Sequence, residues 1–168
     1  MLHLITGGER SGKTRYGMRL AEQLAKAPLY VATARVWDAD FRERIEQHKL
    51  SRGVQWVSIE EEKQLSNLDL KNKVAVIDCV TLWLTNFWVD TNHSLTASLR
   101  QAQEEIDKLA VTDAILFIIS NEIGMSVHAD TKTVRKFVEL QGLVNQYIAE
   151  KADAVTLMIA GIPLTVKS

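Results

Sequence analysis

The chain has 168 residues, a formal net charge of −1, 46% apolar residues and 24% charged ones. That length suits one domain with a real hydrophobic core, and the near-neutral charge argues against a broad nucleic-acid footprint. Cys79 is the single cysteine, which excludes an intramolecular disulfide and reads as a small core residue rather than a redox centre.

No apolar run approaches the roughly 18–20 residues needed to span a bilayer, and the apolar stretch at the start is too short for a secretory segment. The expectation is a cytoplasmic protein without a membrane span. Four tryptophans (Trp37, Trp56, Trp83 and Trp88) exceed what core filling needs. Core or subunit-interface packing is the first expectation for them, and a site for a large flat substrate the second.

Short β-like runs alternate with helical stretches along the chain. Residues 2–6 read as a first strand, followed by a glycine loop and a helix over residues 13–26, where Tyr16, Leu20 and Leu24 recur at helical spacing. Pro28 ends it, and residues 29–34 form a second strand. Asp38 caps a charged helix running to Arg52, with Phe41 and Ile45 on its buried side. Residues 54–59 read as a third strand, 60–68 as a short acidic helix, and 69–73 as a solvated loop.

The run VAVID at residues 74–78 suits a buried parallel strand better than an edge. A segment rich in Trp and Leu follows, then a polar helix over residues 94–109, a central strand at 114–120 and a helix at 132–151. Gly142 weakens that last helix by about 1 kcal/mol. A strand at 154–160, a turn at Gly161 and Pro163, and a final strand ending in LTVK complete the pattern. The alternation predicts an α/β fold: a mostly parallel sheet with helices on both faces and an antiparallel C-terminal edge strand. The absence of a linker-like tract predicts one domain over residues 1–168.

Gly7, Gly8, Glu9, Arg10, Ser11, Gly12, Lys13 and Thr14 satisfy G-x-x-x-x-G-K-[ST] at every fixed position, between a strand and a helix. The fold class thus sharpens to a P-loop NTPase with a RecA-like sheet. The glycines let successive N–H groups turn inward as an anion-binding nest, and the helix start adds its free amides and positive dipole end. Lys13 is placed to reach the β- and γ-phosphates. Thr14 is placed to ligate Mg²⁺ together with Asp78 at the end of VAVID, directly or through water. Asn121 and Glu122 follow another buried strand at the carboxyl end, where ligands collect in open α/β sheets.

Arg44, His48 and Arg52 are spaced i, i+4, i+8 and share one helix face. A histidine between two arginines resists protonation. A neutral imidazole is a nucleophile, and flanking guanidiniums orient a phosphate. On spacing alone, a solvated face carrying an incidental histidine is the first reading of the pattern and the nucleophile the second.

The ordered set of motifs is more specific. LITGGERSGKTR, YVATA, R-I-x-x-H-x-x-x-R at residues 44–52, W-x-x-x-E at 56–60, DCVTLWLTN, SNEIGM, GLVNQ and the terminal AGI before LTVK together resemble the bifunctional adenosylcobinamide kinase / adenosylcobinamide-phosphate guanylyltransferase family of cobalamin biosynthesis. The resemblance implies that His48 is the guanylylated residue. It implies GTP contacts at residues 7–14, at Thr33, Ala34 and Arg35, at Leu50, Ser51, Arg52 and Gly53, and at Glu60 and Asp78. It further implies Mg²⁺, GTP (with ATP as a second candidate donor), a corrinoid substrate and a homotrimer.

The implied reactions are phosphorylation of a hydroxyl on the corrinoid's aminopropanol arm, then transfer of GMP through His48 to give adenosylcobinamide-GDP. The chain departs from the family at residues 121–129, where a second glycine and a proline are absent and His128 reads as a loop residue. Two other readings of the P-loop are a plain small-molecule kinase with His48 idle, and a nucleotide-dependent regulatory or assembly module.

Overall fold

The structure is a computed structural model that describes residues 1–35, 53–125 and 130–168. The helix expected between Asp38 and Arg52, with Trp37, Phe41, Arg44, Ile45, His48, Leu50 and Ser51, lies outside the described residues, as does His128.

Seven strands form one sheet in the order β3-β2-β4-β5-β1-β6-β7. These are β1 (Leu2–Gly7), β2 (Leu29–Ala32), β3 (Val57–Glu60), β4 (Val74–Asp78), β5 (Ile115–Ile119), β6 (Ala154–Ile159) and β7 (Ile162–Lys167). All neighbouring pairs run parallel except β6 and β7, which form the antiparallel edge. The helices are α1 (Lys13–Leu24), α2 (Val80–Asp90), α3 (Leu95–Ala110) and α4 (Lys132–Lys151). The expected α/β architecture is therefore present.

Strand alternation divides the core into two layers. Leu2, Leu4, Leu29, Val31, Ala75, Ile77, Leu116 and Ile118 point to a face covered by α2, α3 and α4, where Trp83, Leu84, Ile106, Leu140 and Val144 meet them. Ile5, Tyr30, Val76, Phe117 and Ile119 point to the other face, where Ala21 of α1 packs. Val74–Asp78 sits between β2 and β5, a buried position that its continuous apolar run suits.

Helix α1 lies very close to the sheet because Gly17 has no side chain. A Cβ there would stand 2.9 Å from Ile119 Cδ1 and 3.2 Å from Ile5 Cδ1. Gly17→Val is expected to destabilise the protein by about 1–3 kcal/mol through overpacking. An unchanged urea midpoint would contradict this contact.

One expectation needs correction. No acidic helix spans residues 60–68. β3 continues to Glu60 in register with Ala32, and only a one-turn 3-10 helix, Leu65–Asn67, follows. The cause is local, since the Glu61 carboxylate accepts from the backbone N–H groups of Lys63 and Gln64 at 2.9 and 2.8 Å. That side-chain turn competes with helix.

The core packing expected for the tryptophans is present at Trp56, Trp83 and Trp88, which are buried within the chain. Trp83 donates its indole N–H to Lys63 O at 3.0 Å, and Trp56 donates to Glu22 at 2.9 Å. The segment rich in Trp and Leu is α2 itself.

Candidate active site

The carboxyl ends of β1, β4 and β5 and the start of α1 enclose a cleft of about 660 Å³. Glu9, Arg10, Ser11, Gly12, Lys13 and Thr14 line one side of it. Tyr30, Ala32, Ala34, Asp78, Cys79, Thr81, Leu82, Ile119 and Asn121 line the rest.

The loop geometry depends on its glycines. Gly7 has φ +150° and Gly12 φ +93°, and a Cβ on Gly7 would stand 2.5 Å from the backbone oxygen of Met158. A side chain there collides with rigid main chain, so the loop would have to move. Gly12 N-caps α1 with no side-chain cap, which leaves the first N–H groups of the helix without an intrahelical partner. An uncapped helix start bordering a cleft is suited to a phosphate.

Lys13 is buried, and its Nζ donates to Gly8 O at 2.6 Å. Burial lowers its pKa below the ordinary lysine value, while the negative charges of Glu9, Asp78 and Glu122 work in the opposite direction. An incoming polyphosphate would supply the counter-charge that this ammonium lacks, because it forms no ion pair among the described residues.

Asp78 ends β4 with Oδ2 accepting from Thr14 Oγ1 at 2.9 Å and from Tyr30 Oη at 2.5 Å. Thr14 and Asp78 thus offer an all-oxygen pair, the donor type that a hydrated Mg²⁺ takes when phosphates complete its shell. No group of three or more His, Cys, Asp or Glu side chains placed to hold a metal occurs among the described residues. Cys79 borders the cleft as a neutral thiol, its pKa pushed up to about 12 mainly by burial, with the Asp78 charge adding to it.

The other described residues expected at the site occupy four different settings. Ala34 lines the cleft. Thr33 is fully buried, donating its hydroxyl to Cys79 O at 2.8 Å and accepting from Asn86 Nδ2 at 2.8 Å through its carbonyl. It joins β2 to α2. The Arg35 guanidinium is committed to carboxylates, 2.7 Å from Glu62 and 2.9 Å from Asp90, and with Lys63 it holds Asp90 well below the usual carboxylate range. Glu60 is exposed at the end of β3 and Gly53 is exposed before it, and neither borders the cleft. Leu50, Ser51, Arg52 and His48 lie outside the described residues.

The matching family model, described as cobinamide kinase / cobinamide phosphate guanyltransferase, spans residues 3–166. The chain belongs to that family. Relatives include the bifunctional adenosylcobalamin biosynthesis protein CobP of Pseudomonas aeruginosa, 34% identical over 99% of this chain and 98% of that one. The CobU proteins of Escherichia coli and Salmonella typhimurium are 31% and 32% identical, each over 99% of this chain and all of theirs. A solved structure from Pyrococcus horikoshii OT3 overlays with a TM-score of 0.52 at 9% identity, covering 99% of this chain and 86% of that one, a likeness of fold alone.

As a member of the cobinamide kinase / guanyltransferase family the chain is a bifunctional enzyme, a phosphotransferase and a nucleotidyltransferase. Three polar residues at or behind the cleft carry no signal of their own in the sequence. Tyr30 lines the cleft, and its hydroxyl meets Asp78. Thr6 precedes the glycine loop and donates to Glu122 at 2.6 Å. Asn145, within the GLVNQ motif, donates to the same carboxylate at 3.0 Å. The motif was the available signal for Asn145, but its role needs a contact across 23 residues of sequence. No helix among the described residues is long and apolar enough to cross a membrane.

Proposed function

We propose that residues 1–168 act as one catalytic domain that phosphorylates adenosylcobinamide on its aminopropanol hydroxyl with GTP or ATP. In this reading the domain then transfers GMP from GTP to the new phosphate through a guanylylated His48. The observation that carries the reading is the conjunction, in one cleft, of a P-loop with an uncapped helix start, a partly desolvated Lys13 and the Thr14–Asp78 oxygen pair.

In the kinase step the loop amides and Lys13 hold the β- and γ-phosphates and stabilise charge as the γ-phosphoryl moves in line to the hydroxyl. In the transfer step the same loop holds the polyphosphate while the α-phosphorus meets His48, and pyrophosphate leaves. Thr14 and Asp78 are the residues proposed to hold Mg²⁺, which when bound would offset phosphate charge. Arg35 then contributes through its backbone and through its anchorage to Glu62 and Asp90, since its guanidinium is already paired. The resemblance further supports a homotrimer, and the proposed location is the cytoplasm.

The test is turnover of adenosylcobinamide with GTP and Mg²⁺, following two products. The reading expects a phosphate ester first and a GDP-linked corrinoid second, with pyrophosphate released in step with the second. An ester without the GDP-linked product would leave only a small-molecule kinase. GTP hydrolysis with neither product would remove both activities.

A further inference from the structure

Behind the phosphate loop a polar cluster closes on the half-buried Glu122. Glu122 follows β5, and its backbone N–H donates to Gly7 O at 3.0 Å, which fixes it beside the loop. Its Oε1 accepts from Thr6 Oγ1 at 2.6 Å and from Asn145 Nδ2 at 3.0 Å. Asn145 is itself held, its Oδ1 accepting from Ser120 Oγ at 2.5 Å and from Gln141 Nε2 at 3.0 Å.

Ser120, Gln141 and Asn145 are all buried, and Gln141 Oε1 has no partner. An unpaired buried acceptor costs about 1–3 kcal/mol, which apolar side chains at these positions would avoid. What the cluster provides in return is a carboxylate with one oxygen clamped twice. The second oxygen, Oε2, has no hydrogen bond among the described residues. The neighbouring Asn121 lines the cleft, and the Glu122 charge acts on Lys13.

We propose that Glu122 accepts the proton of the acceptor hydroxyl in the kinase half-reaction, with Asn145 and Gln141 as positioning residues that hold its carboxylate. This rests on the kinase reading above. In the step, the hydroxyl oxygen bonds to the γ-phosphorus while the bond from that phosphorus to its bridging oxygen breaks. The nucleoside diphosphate leaves with the electron pair, and the hydroxyl proton passes to Glu122 Oε2. The carboxylates that line the cleft, Asp78 and Glu9, are less suited. Asp78 Oδ2 already serves Thr14 and Tyr30, and exposed Glu9 has no side-chain hydrogen bond to fix it among the described residues.

The experiment measures ester formation against pH, with GTP affinity measured in parallel by titration of a fluorescent GTP analogue. Glu122→Gln keeps the shape and is expected to lower kcat for the ester about 10²–10³-fold. KM for the corrinoid and the GTP Kd should stay within about threefold, and the acid limb of the kcat profile should disappear. Asn145→Leu and Thr6→Val each remove one donor that fixes the carboxylate, so each should lower kcat for the ester about 10-fold with KM nearly unchanged.

Retention of kcat within threefold by Glu122→Gln, or an acid limb that persists in it, overturns the proposal. So does loss of GTP binding in Glu122→Gln and Thr6→Val alike, which would make the cluster scaffolding for the loop. Absence of any ester from the wild-type enzyme, with GTP bound, overturns the kinase reading itself and this assignment with it.

Discussion

Lys13→Ala is expected to lower kcat/KM of the kinase and guanylyl-transfer reactions together, each by about 10³-fold or more, which is about 4 kcal/mol of transition-state stabilisation. The expectation follows from where the ammonium sits. It is buried beside the loop and bonded to Gly8 O, and burial disfavours its charge. The protein tolerates a partly desolvated cation that its own side chains do not pair, an arrangement that makes sense when a polyphosphate completes it.

The same reasoning separates catalysis from stability. Removing a cation that burial already disfavours should leave the melting temperature unchanged or slightly raised, so lost turnover cannot be attributed to unfolding. One P-loop serving two reactions also requires that both fall together. A variant that lost the kinase yet kept guanylyl transfer within threefold would show that the two steps do not share this cleft.

The second large effect is expected at His48. His48→Ala should abolish formation of the GDP-linked product, by at least about 10³-fold, because a missing nucleophile removes the covalent route and leaves only direct displacement. Phosphorylation of adenosylcobinamide should remain within about threefold, since no part of the γ-phosphoryl transfer calls on that imidazole. The pair of variants therefore gives two signatures: Lys13→Ala loses both products, and His48→Ala accumulates the phosphate ester. Equal loss of both activities in His48→Ala would instead describe a residue that organises the nucleotide site.

The site was legible in sequence where its chemistry is local. Residues 7–14 carry their own spacing, flanked by a strand and a helix, and β1 and α1 fall on either side of them. Asp78 was legible because a buried strand ending in an acid has few other uses, and its Oδ2 does meet Thr14. α4 begins at Lys132 after Thr131, whose hydroxyl accepts from Val134 N at 3.2 Å. It runs through Gly142 without interruption to Lys151, so packing of the flanking turns outweighs the local glycine penalty.

What escaped was long-range or aperiodic. α2 is apolar on most sides, with Val80, Trp83, Leu84, Phe87 and Trp88 all buried, and a helix buried that thoroughly has no polar face to reveal its period. Glu61 closing a turn at residues 63 and 64 defeated an acidic-helix pattern. The strand order, the Tyr30–Asp78 contact and the Thr6–Glu122–Asn145 clamp each join segments far apart in the chain, and propensity carries no such information. Arg35 adds a long-range pairing of the same kind, its guanidinium bonded to Glu62 and Asp90.

The proposed function requires one chain to grip a triphosphate at its first helix and to carry the guanylate on a histidine. The most direct measurement is mass spectrometry of the wild-type enzyme after incubation with GTP and Mg²⁺ alone, followed by peptide mapping under basic conditions that preserve a phosphoramidate. The predicted result is one GMP adduct on the peptide containing His48, absent when Mg²⁺ is chelated. A folded, GTP-binding enzyme that carries no adduct, or carries it on another residue, would contradict the account.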